Sequence, residues 1–341
     1  MTTNQYVSLT PRFHPESFRG SEVRPDADRL RTVSLPSTTT KSRHAFTFVE
    51  LLVVLAVLAL MVTLLATARA ASRPNFQGAL CLNNLKQLMA AFTMYTHDNR
   101  DVFPPNPDTV TGVPGGNWVG GSSTGWMPVG ASGNVDAGNP NFLADPKWDL
   151  FANYIRTNIS LFHCPFDPRM AIYNGSDTNQ FGTFIPVVRS ISMNAGVGTK
   201  GVTAGGDVSV DGPWLNGSHS HIANQPYATF GRWSDFRVAR PSDIWVLVDD
   251  DPWTINDASM QVIAASPDTV DYVNFFNNNS TAFSFADGHG ETHKWKSTVW
   301  VHNGPPSRSS FQVGAYTGLG YSDWFWWASH ATRNVNTGTV P

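Results

Sequence analysis

The chain has 341 residues, enough for one large domain or two modest ones. Charged residues make up 14%, while 12 Trp, 21 Phe, 28 Gly and 23 Pro point to an aromatic-packed, loop-rich body. Net charge is −3, with +3 on residues 1–45 from seven Lys/Arg and four Asp/Glu, which leaves −6 on the rest; that acidic remainder excludes a nucleic-acid partner, which needs a basic face.

Residues 1–44 hold Pro, a Thr run and scattered charge without apolar periodicity, and are expected to be disordered. Residues 46–68 then form an apolar run with Glu50 as its one carboxylate, and from Leu51 to Ala68 only Thr63 and Thr67 interrupt it. The run has 23 residues, and about 20 suffice to cross the hydrocarbon core as a helix. A buried soluble helix and a secretory signal peptide are the competing readings, the second because the small-residue stretch ATARAAS follows. Arg12, Arg19, Arg24, Arg29, Arg31, Lys41 and Arg43 precede the run, and only Arg69 and Arg73 follow closely. That excess places the N-terminus in the cytoplasm and the later residues outside a plasma (inner) membrane, as a single-pass protein. A carboxylate inside such a segment is costly and calls for a cationic partner.

Residues 45–56, Ala-Phe-Thr-Phe-Val-Glu-Leu-Leu-Val-Val-Leu-Ala, resemble the type IV prepilin processing motif, usually Gly then Phe-Thr-Leu-Ile-Glu before an apolar helix. The resemblance implies a membrane-embedded peptidase and methyltransferase as a partner. It would cut between Ala45 and Phe46 on the cytoplasmic side, remove residues 1–45 and methylate the new amine. Glu50 would become the fifth mature residue and pair with the terminal amine of a neighbouring pilin-like subunit. Ala45 stands where the family has Gly, and this leader is long for the family.

Residues 79–99 carry Leu82, Leu85, Met89 and Phe92 at three- and four-residue steps, with Asn83, Asn84, Lys86 and Gln87 opposite, which predicts an amphipathic helix. Pro74 predicts a kink or break between the two halves. The organisation expected is a leader, 1–45; a helix, 46–99, membrane-borne over 46–68 in contact with inner-membrane lipid; and a globular body, 100–341. Residues 104–146 and 196–225 read as loop-rich. Residues 183–193 and 244–248 read as strands, the second buried. Residues 281–295 read as a hairpin turning at Asp287-Gly288, with positive φ at both turn positions and with Phe283 and Phe285 on one face. The fold class expected is α+β: a long pilin-like helix packed on an antiparallel β-sheet body with long loops.

The order CLNNLKQLMAAFTMYTHDN, FHCPFDP, SISMN, PSDIWVLVDDD and FSFADGHGETHKW resembles the large pilin-like proteins that end in a His, nine residues, Asp-Gly signature. Asp287-Gly288 match its end, while its first position falls on Asn277. The family is named only as associated with prepilin processing.

Several body residues carry two readings. Cys81 and Cys164 are too few for a disulfide framework or a four-thiolate zinc site; they form one bridge in an exported body or remain two buried thiols. Asp249, Asp250 and Asp251 end a buried strand, either as oxygen ligands for Ca²⁺ or as a polar strand end. Secretion pseudopilins resemble the first reading, with a calcium-stabilised C-terminal loop. His289 and His293 flank Glu291, with His219 and His221 elsewhere: metal ligands or exposed strand residues. Trp324, Phe325, Trp326 and Trp327, with Trp295 and Trp300, form stacking platforms or core. No nucleophile elbow, phosphate-cradling loop or paired-carboxylate motif is present, so an enzyme is not expected and no obligate cofactor is implied. The leading functional reading is a pilin-like or pseudopilin subunit of a type IV pilus or type II secretion-like filament. The alternatives are a membrane-anchored glycan- or protein-binding module that uses the prepilin route for sorting, and an exported enzyme with a histidine metal site.

Overall fold

The three- and four-residue apolar steps after residue 78 become one wall of the core. The computed structural model describes residues 47–109, 112–121, 136–202, 205–251, 254–275, 277–297 and 318–339, and for 63–77 the backbone alone. Helix α1 spans Phe48–Asp98 and is continuous through Pro74 rather than broken there. The chain divides into two units, Met1–Ala59 and Leu60–Pro341.

In the second unit, Cys81, Leu85, Leu88, Met89 and Phe92 of α1 are buried in one core cluster with Ile191, Met193, Leu247 and Ala282. Leu82, expected on the same face, packs at the cluster's edge. Each fully buried Leu or Phe contributes roughly 1.5–3 kcal/mol, so this face holds the helix firmly. A short helix α2 covers Asn141–Ala144, and helix α3 covers Leu319–Ser329.

The strands are β1 Met170–Ile172, β2 Phe184–Pro186, β3 Ile191–Asn194, β4 Thr199–Gly201, β5 Gly206–Ser209, β6 Trp245–Asp249, β7 Ser259–Met260, β8 Ser280–Phe285 and β9 Gly290–Lys294. The main sheet runs β7-β3-β6-β8-β9. It is antiparallel except at one edge, where β7 pairs parallel to β3; β1-β2 and β4-β5 form two small ribbons. The fold is α+β. Helix α1 covers one face of the sheet, and the other packs on Trp324 and Trp327 of α3 through Trp245, Val248, Phe283 and Phe285. Burial on both faces explains why β6 reads as a continuous apolar run. The single strand expected over 183–193 is two, β2 and β3. Pro186 ends the first because it has no N–H to donate. Between them Arg189 turns fully inward, donating to the carbonyls of Ile191 at 2.9 Å and Asp257 at 2.7 Å.

The hairpin β8–β9 also differs in detail from its expected form. Of Asp287 and Gly288, only Gly288 has positive φ, at +92°. The Gly288 N–H donates to the Phe285 carbonyl at 2.9 Å, and the Phe285 N–H to that of His289 at 2.9 Å. This is a three-residue connection: a turn centred on Ala286 and Asp287, followed by glycine in the left-handed region. An added Cβ at Gly288 meets nothing within 4 Å, so a side chain costs only backbone strain. Gly288→Val is expected to destabilise the body by about 1–3 kcal/mol, read as a lower urea midpoint; an unchanged midpoint would refute the turn.

Asn277, at the position where the resembling family has histidine, is not idle. Its amide sits where a Cβ on Gly78 would be, with Nδ2 2.3 Å from that point. The missing side chain of Gly78 therefore lets α1 approach this loop closely.

One buried acid makes stability depend on pH. Burial pushes the Asp149 carboxyl up from 3.8 to about 8. One of its oxygens accepts the Phe151 N–H at 2.8 Å, and the other is buried without a partner. With the folded pKa above the unfolded one, the folded chain holds a proton that the unfolded chain releases between pH 3.8 and about 8. This group's stability contribution is therefore fully present below that window and falls as pH rises through it, by at most about 1.4 kcal/mol per pH unit. Asp149→Asn removes the ionisation but leaves a buried amide to satisfy. It is expected to stabilise the chain by roughly 1–3 kcal/mol at pH 8 and not at pH 4; equal effects at the two pH values in urea melts would refute the assignment.

Candidate functional site at the start of the long helix

Thr47 and Glu50 are three residues apart at the start of α1, and that spacing lets a helix close its own N-terminus. The Thr47 N–H and Oγ1–H both donate to Glu50 Oε2 at 2.8 Å. The Glu50 N–H donates back to Thr47 Oγ1 at 3.3 Å, and the Leu51 N–H reaches the Thr47 carbonyl at 3.2 Å. This is a reciprocal capping box, which satisfies otherwise orphaned donors and sets a negative charge against the positive end of the helix dipole. Thr47, not singled out from the sequence alone, is thus the N-cap of α1. Its sequence signal is a Thr-x-x-Glu directly before apolar residues.

Every residue from Thr47 to Val62 is exposed, and from Phe48 onward all but Glu50 are apolar. Phe48 is 74% exposed and Leu52 51%. A helix apolar on all sides requires an apolar environment, either lipid or other helices. Among the described residues no helix is long and apolar enough to cross a membrane. The span expected over 46–68 runs past the last described side chain before 63–77. Ala45, Phe46 and the leader, 1–45, lie outside the described residues.

Residues 40–66 match the family model of the prokaryotic N-terminal methylation motif. The match supports a type IV pilin-like protein processed as a prepilin. It includes the capped helix start and does not reach Asp287-Gly288. Neither the curated proteins nor the solved structures contain a match to this chain.

Further along α1, Cys81 is bonded to Cys164, with Cα atoms 5.1 Å apart. Cys164 follows the short helical turn Ile159–Phe162, and its N–H donates to Ser190 Oγ at 2.7 Å. Asn84, three residues after Cys81, donates from Nδ2 to the carbonyls of Ser160 at 3.4 Å and His163 at 3.3 Å. The helix is therefore joined to this loop by both a covalent bond and hydrogen bonds.

Asp249 ends β6 and Asp250 and Asp251 follow it, all three buried, and among the described residues their carboxylates do not converge as a set of three ligands. The Asp249 carboxylate lies within 4.8 Å of both cysteine sulfurs. Asp250 accepts from Ser192 Oγ and from Thr254 Oγ1, the second at 3.2 Å. Burial pushes both carboxyls up, that of Asp250 to about 7.

His289 directly precedes β9 and His293 lies within it. His289 stacks on Phe285 at 4.2 Å, and His293 stacks on Trp326 at 3.6 Å. Burial lowers His293 to about 4 and keeps it neutral. His219 and His221 instead line a cavity of about 410 Å³ with Asp108, Lys200 and Asp211. The four histidines are thus divided between two places. Trp324, Trp327 and Trp295 are core, whereas Phe325 is 43% exposed; Trp300 lies outside the described residues.

Proposed function

We propose that this chain is a pilin-like or pseudopilin subunit. It is cut between Ala45 and Phe46 by a prepilin peptidase, methylated on the new amine, and held in the inner membrane by the first part of α1. From there it joins a type IV pilus or type II secretion-like filament, with its body on the outer side. The observation that carries this reading is the methylation-motif match at 40–66 over a capped helix start, apolar on every side, whose one carboxylate is drawn to its N-terminal end.

The capping box adds a physical reason. It holds Glu50 beside Thr47, the residue after the amine that the cut would free. A carboxylate fixed there suits the terminal amine of a neighbouring subunit, and pairing in a low-dielectric setting fixes the axial register of packed helices. A body of this size is awkward in a dense filament, which favours a minor or tip position.

Mass spectrometry of the mature N-terminus from membranes tests the proposal. The chain is expected to begin at N-methylated Phe46, and Ala45→Arg to leave the leader attached by filling a small-residue site. An intact leader on the unsubstituted chain, or a cut after Ala71, would reject the prepilin assignment.

A further inference from the structure

Asp249 is 3% exposed, and its Oδ1 is buried without a hydrogen-bond partner. Its carboxylate lies close to the sulfurs of Cys81 and Cys164, each residue only 2% exposed. One donor atom from each of the three lies within 4.8 Å of the other two, and among the described residues this is the one such convergence of three potential metal ligands. A disulfide alone gives this carboxylate nothing, because its sulfurs are poor hydrogen-bond partners, and burying an unpartnered acid is costly. Two thiolates around a dication would give it a partner. The carboxylates of Asp167 and Asp250 act on Asp249 electrostatically, while Arg169 pairs with Asp167 at 2.6 Å and acts, with Arg189, on Asp250.

We propose that, in its dithiol form, the chain binds a thiophilic divalent cation, with zinc as the best match, through Cys81 Sγ, Cys164 Sγ and the Asp249 carboxylate. Two sulfurs and one oxygen form a borderline-soft donor set of three, and zinc would complete its tetrahedral geometry with a water as the fourth ligand. The dithiol form arises when a reducing dithiol delivers two electrons and two protons to the disulfide and becomes a disulfide itself, or when a phosphine delivers the two electrons and water supplies the two protons and the oxygen of the phosphine oxide. Metal binding then releases the two thiol protons, and any proton on Asp249, to solvent. The consequence is structural: α1 stays cross-linked to the body in both redox states, by a covalent bond in one and by a metal in the other.

The test uses the full chain in detergent, reduced anaerobically with a phosphine and titrated with Co²⁺, then Zn²⁺. Stoichiometric Co²⁺ is expected to produce thiolate-to-cobalt charge-transfer absorption, which Zn²⁺ abolishes. Cys164→Ala is expected to eliminate the band, and Asp249→Asn to weaken binding by about tenfold or more. No band from a reduced chain with native circular dichroism would overturn the proposal. So would Asp249→Asn binding cobalt as tightly as the parent, because two thiols alone would then suffice. If reduction unfolds the chain, zinc must restore its thermal transition, and failure to do so also overturns it.

Discussion

Replacing Cys81 by Ala is expected to lower the stability of the oxidised, metal-free chain by more than the Gly288→Val substitution does. The bond joins residues 83 apart in sequence, and closing a loop of that length removes about 4–5 kcal/mol of unfolded-state entropy in the chain-entropy model. Cys164→Ala should cost the same. The double variant should cost little more than either, because both substitutions delete one bond. Urea melts of the full chain in detergent with a chelator measure this directly. A loss no larger than that of a surface substitution, about 0.5 kcal/mol, would mean that the bond does not form in solution. Hydrogen exchange should also locate the damage. Amides of α1 near Cys81 should lose protection first, since that part of the helix then keeps its apolar face and the Asn84 hydrogen bonds but no covalent tie.

The second large effect concerns Glu50, where two roles are superimposed. As the third residue of a capping box, it can be replaced by Gln with little loss, because Gln also completes the box. As the charged partner of a neighbour's amine, it cannot. Glu50→Gln is therefore expected to insert and cap normally but to fail in filament incorporation almost as severely as Glu50→Ala. Removing one member of a buried ion pair costs about 3–5 kcal/mol, or at least about two powers of ten in the partition between filament and membrane. Thr47→Val makes the converse change: it keeps the charge and loses the hydroxyl of the box, at about 1 kcal/mol. Incorporation should be quantified from sheared filaments against membrane-retained protein. Glu50→Gln incorporating like the parent would leave capping as the residue's whole role.

Much was legible in the sequence because its physical signal is local. An apolar run with one carboxylate is visible without any fold. So is the periodicity of Leu82, Leu85, Met89 and Phe92, which describes one helix face and needs no knowledge of the partner. The apolar stretch of β6 and the Asp-Gly of the β8–β9 hairpin likewise follow from local rules, although the turn uses one left-handed residue rather than two. Helix α3 was not legible. Leu319–Ser329 is so rich in aromatic side chains that no polar face marks its period, and it is stabilised by tertiary packing of Trp324 and Trp327 against the sheet.

By itself the sequence determined the apolar helix start with its one carboxylate, the amphipathic continuation of that helix and the α+β character of the body. Each rests on the spacing of neighbouring residues along one element. Only the tertiary structure decided which distant residues share an environment. It joined Cys81 to Cys164 across 83 positions and set the carboxyl of Asp249, with its unpartnered Oδ1, beside them. It placed Asn277 against Gly78, turned Arg189 inward, and separated the two histidine pairs. Such contacts are chosen by burial, where a polar group must find its partner among whatever the folded chain brings near, and sequence spacing carries no record of that choice.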